Sequence, residues 1–216
     1  MTIEPNPGGG TRARHRRKHA RAGELCDAAL ALFVEKGFDA TRTEEIAARA
    51  GISKGTLYLY YPSKETLLKA AIASPALEAL AKVRPAAERE GNSTDVLRQL
   101  LSDVWAHLQD EAVGRVLKLA IAEARRFPDI MQSWLHGAVK PVRSLIAEVI
   151  LQGTNRGEFR KLDPDVVAHS LLLPMFMLCL QRHVMAAGTP ADRCLDEGFI
   201  PQHVELVLQG LRREGQ

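Results

Sequence analysis

Apolar residues recur at spacings of three and four through most of this chain, and sustained alternation of apolar with polar positions is nearly absent. That pattern predicts helices. The first covers about residues 19–36, with Leu25, Ala29, Leu32 and Phe33 on one face and Gly37 where a left-handed terminating residue belongs. Thr41 is the expected N-cap of a short helix over about 42–50, with Glu44 three residues on completing a capping box. Ile46, Ala47 and Ala50 mark its inward side, and Gly51 stops it. Ser53 caps a second short helix over 54–60, which Pro62 ends, and Ser63 caps a fourth helix beginning KETLLKAAI.

Beyond Ser63 the pattern lengthens. Pro75 is expected to kink or split the fourth helix, because proline removes a backbone donor and clashes one turn back. Residues 84–93, RPAAEREGNS, read as a polar connection. Helices follow at about 94–109, 111–126, 129–155, 164–186 and 202–213, the run Asp163-Pro164-Asp165 giving a cap, a proline at the first helical position and an acid in the first turn. The fold class is all-α. No internal repeat is evident, and the opening MTIEPNPGGG has a disordered composition.

Residues 42–60 are therefore two short helices joined by the tight turn AGIS. Two short helices around a glycine-containing turn are the helix-turn-helix pattern, which places its second helix in the major groove of DNA. Charge distribution agrees. The net charge is +3, yet residues 1–64 carry 11 Lys/Arg against 7 Asp/Glu, a net of +4, while the remainder nets −1. The excess peaks at Thr11–Arg21, with six basic residues, two histidines and no acid. One sign of charge at one end points to a polyanion, although a solvated tail has the same composition.

All three tyrosines fall in SKGTLYLYYP, at Tyr58, Tyr60 and Tyr61. On the 54–60 helix Leu57 faces the core, with Tyr61 just behind it. Lys54, Gly55, Thr56, Tyr58, Leu59 and Tyr60 then point outward. Lysine and hydroxyl groups reach phosphate oxygens; Thr56 and Leu59 suit thymine methyls; Gly55 permits close approach; Ser53 and the first-turn amides suit a phosphate.

Those same residues carry a family likeness. GFDATRTEEIAARAGISKGTLYLYYPSKETLL, with ALFVEKGF before it, resembles the DNA-binding domain of TetR/AcrR-type transcriptional regulators over about residues 19–70. EARRFPDIMQSWLH and RGEFRKLDPDVVAHSLLLPMF resemble one subgroup of that family more loosely. The resemblance implies a three-helix N-terminal DNA-binding domain and a C-terminal helical domain for ligand binding and dimerisation. It divides the chain into a disordered basic arm at 1–18, a DNA-binding domain at 19–66 and an effector domain at 67–216. It places Thr43 on a phosphate, Lys54, Gly55, Thr56, Tyr58, Leu59 and Tyr60 on the recognition surface, and Lys64 on the DNA backbone. Glu44 departs from the family, some members of which read a base with a basic residue there; Arg42 is the neighbouring replacement. The Arg12–Arg21 block would follow the backbone or enter the minor groove. The family further implies a homodimer on a palindromic operator, a repressor, and a small-molecule effector.

The effector half says less. Ala168–Met185 is apolar nearly all round, which calls for burial on two sides: its own domain and a partner chain, or one central core. Trp105, Leu108, Leu119, Phe127, Met131, Trp134, Met175 and Phe176 are pocket candidates, with His107, His136 and Arg126 as polar partners, and each also suits ordinary core packing. They favour an apolar or aromatic effector of unknown identity.

Other chemistry is not encoded in recognisable form. GxSxG, HExxH, a Walker lysine loop and CxxC are absent, and the seven histidines lack metal-ligand spacing, so no enzyme activity, metal or cofactor is expected. Three scattered cysteines suit reduced thiols. The longest apolar run, Ser170–Leu180, is short for a bilayer, and no secretory signal is evident, so the expectation is a cytoplasmic protein without a membrane partner. Two other readings remain. Non-specific DNA coating by the basic arm predicts sequence-blind, salt-fragile binding. A protein-interaction module predicts indifference to loss of Lys54 or Tyr58.

Overall fold

The computed structural model describes residues 9–184 and 190–212, and its described residues are helical with no strand. Helix α1 spans Gly9–Lys36, α2 Thr43–Arg49, α3 Lys54–Tyr60 and α4 Lys64–Ala87. Then come α5 (Ser93–Leu108), α6 (Glu111–Glu123) and α7 (Asp129–Trp134). A π turn at Leu135–Val139 leads directly into α8 (Lys140–Asn155), followed by α9 (Pro164–His183) and α10 (Pro190–Leu211).

The chain divides into two compact units between Ser74 and Pro75, eight residues beyond the expected boundary at 66/67. In the first unit, Leu25, Ala29, Phe33, Phe38, Ile46, Leu57, Leu67 and Leu68 are essentially sealed from solvent, and the Phe33 and Phe38 rings lie 5.5 Å apart. In the second, Val83 and Ala86 of α4 pack with Leu97, Leu100 and Leu101 of α5, Ile146 and Ile150 of α8, Leu171 and Met175 of α9, and Val204 and Leu208 of α10.

Several expectations need correction. Helix α1 begins at Gly9 rather than His19, so residues 9–18 of the expected arm are helical; Ala, Arg and Lys are strong helix formers and nothing from Thr11 to Ala22 interrupts the backbone ladder. Residues 1–8 lie outside the described chain. Helix α4 is not split at Pro75 and continues past Pro85 to Ala87. One lost bond in a 24-residue ladder is offset by packing on either side of it, from Leu67, Leu68 and Ile72 and from Val83 and Ala86. Helix α10 begins twelve residues earlier than predicted, with Pro201 inside it rather than before it. The α9 helix, taken whole, has an 18-residue window of mean hydropathy 1.3 and is long enough to cross a bilayer. Leu171, Met175, Leu178 and Cys179 are nonetheless buried, the first three in the core of the second unit.

Two close approaches shape that unit. A Cβ on Gly153 of α8 would run into the Phe159 ring and the Ser93 side chain. One on Gly114 of α6 would overlap the His183 imidazole. The π turn precedes Pro141, whose missing N–H and bulky ring disrupt an ordinary bond to the Gly137 carbonyl; the wider turn accommodates that fault without breaking the helix.

Candidate DNA interface

Helices α2 and α3 meet through Gly51 (φ 66°), a left-handed position that glycine adopts without strain, while the Ile52 amide donates to the Ala47 carbonyl. Ser53 caps α3: its hydroxyl accepts from the Thr56 amide at 3.1 Å and lies 2.9 Å from the Thr56 hydroxyl. Leu57 is fully buried and fixes the inward side of α3. The opposite side presents Lys54, Gly55, Tyr58 and Leu59 to solvent, with Thr56 and Tyr60 half-buried at its margins. Leu59 is 83% exposed. An apolar side chain that far out contributes nothing to this unit's own core.

Gly55 is informative for a related reason. It is exposed, its φ is ordinary, and a Cβ there would meet nothing nearer than the Ser53 hydroxyl at 3.8 Å. Internal packing does not require glycine, although glycine inside a helix costs about 0.5–1 kcal/mol relative to alanine.

Two polar links tie α2 to α3. The Thr43 and Tyr58 hydroxyls lie 3.3 Å apart, and Lys54 Nζ donates to Glu44 Oε1 at 2.5 Å. The latter pair is open to solvent, with half or more of each side chain exposed. The bond to Lys54 lowers the Glu44 pKa, and the bond to Glu44 raises that of Lys54.

The structure revises several expected roles. The N-cap of α2 is Arg42 rather than Thr41, and Glu45 rather than Glu44 reaches back, accepting from the Arg42 amide at 3.2 Å. Thr41 is buried, and its hydroxyl donates to the Gly37 and Leu32 carbonyls at 2.7 and 3.2 Å. Glu45 also pairs with Lys36 at 2.8 Å, and the bond to Lys36, then that to the Arg42 amide, lowers its pKa. Arg42 itself is exposed. Thr43 is 7% exposed, and its hydroxyl lies 3.3 Å from that of Tyr58. Lys64 does not project outward: Nζ donates to the carbonyls of Phe38 (2.8 Å), Thr41 (3.1 Å) and Asp39 (3.4 Å) and sits 4.3 Å from the centre of the Phe38 ring. It clasps the turn between α1 and α2. Tyr61 sits inward, its hydroxyl donating to the Ala22 carbonyl at 3.3 Å and lying 3.1 Å from Cys26 Sγ. Burial raises both the Cys26 and the Tyr61 pKa.

The decisive comparison is with families of known regulators. The model of bacterial regulatory proteins of the tetR family matches residues 25–71, and a tetracyclin repressor-like C-terminal domain matches 87–197. The chain belongs to the TetR family. It is 44% identical to the transcriptional regulator RutR of Escherichia coli K12, over 94% of this chain and 95% of that protein. It is 29% identical to the transcriptional repressor KstR2 of Mycobacterium tuberculosis, over 91% of this chain and 96% of that one. A TetR-family regulator from Mesorhizobium loti superposes with a TM-score of 0.75 at 27% identity, covering 91% of this chain and 99% of that one. This is a DNA-binding transcriptional regulator, not an enzyme. Among the described residues, no cluster of three or more His, Cys, Asp or Glu side chains could hold a metal ion.

The effector-site candidates fall into two groups. Trp105 and Met175 belong to the main core, with Leu108 packed against it. Trp134 and Phe176 pair at 5.1 Å, immediately before the π turn. Leu119 is buried, Met131 and Phe127 are half-buried, and the Arg126 guanidinium lies 5.2 Å from the Phe127 ring. His136 is exposed with its ring nitrogen 2.8 Å from the Gln132 carbonyl. His107 is half-buried, and burial, then the Lys82 charge, lowers its pKa. His183, which sequence reasoning weighed only for metal spacing, fills the space beside Gly114, and its Nε2 lies 3.2 Å from the Leu108 carbonyl. A glycine in mid-helix at 114 was the available signal.

Proposed function

We propose that this regulator is a repressor that binds a palindromic operator as a homodimer and is released by a small apolar or aromatic effector. The observation that carries the DNA half is the outward face of α3: a cation, a glycine unexplained by packing, a half-exposed tyrosine and an exposed leucine on a helix fixed from behind by Leu57. Of the residues implied by resemblance, Lys54, Gly55, Thr56, Tyr58, Leu59 and Tyr60 form the reading surface, with Arg42 beside it. Ser53 and Thr43 position it, and Lys64 belongs to the scaffold.

The dimer reading rests on α9 and α10. Val166, Leu173 and Met177 are 60%, 61% and 50% exposed and, with Ser170, form one stripe on α9. Phe199 and Leu206 of α10 are 39% and 68% exposed, and His203 between them joins the helices, Nε2 lying 3.0 Å from the Ser170 carbonyl. An open groove of about 400 Å³ along Pro201, Glu205, Leu206 and Gln209 continues this face. Large apolar side chains in a contiguous array mark an interaction surface, and a two-fold axis makes one such array self-complementary.

The effector reading rests on the Trp134–Phe176 ring pair beside the π turn, with half-buried Phe127 just before α7 and Met131 within it. Release requires the effector to prefer the DNA-free state, because only differential affinity shifts the equilibrium. The test is gel-shift binding to the DNA upstream of the regulator's own gene against shuffled DNA at two salt concentrations, with selection from random DNA alongside. Binding confined to a palindrome, and relieved by an apolar or aromatic compound, supports the proposal. Equal, salt-fragile binding to all DNA refutes it in favour of non-specific coating.

A further inference from the structure

The α2–α3 surface carries a charge arrangement that simple DNA attraction does not explain. Lys54, the cation at the start of α3, is engaged by a carboxylate on the neighbouring helix, at 2.5 Å. Glu44 is an exposed acid in the first turn of α2, where it suits the helix N-terminus, but the reach-back to Arg42 is made by Glu45, which leaves the Glu44 carboxylate to Lys54. It lies one residue from Thr43, which touches Tyr58, so Glu44 and Lys54 stand on the same surface as the reading residues. An acid beside a polyanion is unfavourable unless it does something.

We propose that Glu44 is a selectivity residue, an internal carboxylate that holds Lys54 on generic DNA and yields it to a backbone phosphate only at the operator. The proposal rests on the assignment of the α3 face to DNA. On arbitrary sequence, moving Lys54 from Glu44 to phosphate exchanges one anion for another and leaves Glu44 facing the duplex. The exchange has little to drive it, and the Lys54 contact is withheld. At the operator, close docking of α3 supplies the drive, and the freed carboxylate can accept from a base amino group such as cytosine N4 in the major groove. Generic DNA loses a phosphate contact that the operator keeps, and the ratio of the two affinities rises.

The experiment compares the wild type with Glu44→Gln, Glu44→Ala and Lys54→Gln, each checked for an unchanged melting profile. Binding to a selected operator and to shuffled duplex is measured from 50 to 200 mM salt. Removal of the acid should free Lys54 on shuffled DNA and steepen that salt slope by about 0.9 per protomer. That slope corresponds to about 3.5-fold tighter generic binding per protomer at the low-salt end relative to the high-salt end. The operator slope should not change, and the selectivity ratio should fall in both Glu44 variants. Lys54→Gln should flatten the operator slope and, because it leaves Glu44 unpaired beside the duplex, also weaken generic binding. Equal gains on both DNAs, or no change of ratio, would overturn the selectivity role. If the wild type itself shows no sequence preference, the DNA-reading assignment fails first, and the two failures are thereby told apart.

Discussion

Replacing Lys64 with methionine separates the role that resemblance implies from the one that the structure assigns. A lysine gripping the DNA backbone would cost the variant affinity, with a salt slope shallower by about 0.9 per protomer and unchanged stability. In the structure, Nζ instead donates to three carbonyls around the α1–α2 turn and lies over the Phe38 ring. A hydrogen bond from a charged donor contributes about 1.5–3 kcal/mol net. A partly exposed cation–π contact adds about 0.5–1 kcal/mol. Methionine preserves the apolar stem, so the net loss should be about 2–4 kcal/mol, allowing one well-made bond's worth and the ring contact. For a chain of this size that lowers the melting temperature by about 4–16 °C. Denaturant titration and calorimetry measure the loss, and gel shifts well below the new melting point measure the slope. Undiminished stability with a flattened salt slope would refute the scaffold role and restore the phosphate contact.

Gly153→Ala should cost about 1–3 kcal/mol by overpacking, since the new methyl meets the Phe159 ring and Ser93, and Phe159→Leu should recover part of that loss in denaturant titration. Leu173→Glu with Leu206→Glu should convert a dimer to a folded monomer by sedimentation velocity, because both side chains stand more than 60% exposed and leave the core untouched. The raised Cys26 and Tyr61 pKa values set a direction with pH: the neutral forms are favoured in the fold, so their contribution is complete below the ordinary thiol value of 9.0 and declines as pH rises past it. The Cys26→Ala, Tyr61→Phe double variant should therefore lose less stability than the wild type between pH 8 and 10, as read from urea midpoints.

Local chemistry was readable where a residue's partners lie within a turn or two of it. Ser53, Ser63 and Asp163 cap α3, α4 and α9 as their sequence contexts predict, each accepting from amides two or three residues ahead. Gly37 and Gly51 take the left-handed conformations that ending a helix demands. The same reasoning failed when a long-range partner competed. Thr41 has every local mark of an N-cap, but the carbonyls of Leu32 and Gly37 claim its hydroxyl, and the cap moves one residue on. Lys64 follows a cap and precedes an acid like any surface lysine, yet its acceptors lie 23–26 residues back. Prolines misled for a related reason: propensity counts the bond that Pro75 removes but not the packing on both sides that continues the helix. The pattern of failures bears on the DNA surface itself. Which side chains of α3 point outward follows from one period and one buried leucine. What those side chains are doing before DNA arrives depends on α2, ten residues away at Glu44 and fifteen at Thr43. The outward face of α3 is legible from the sequence, while the pairing of Lys54 with Glu44 becomes visible only once α2 is packed against α3.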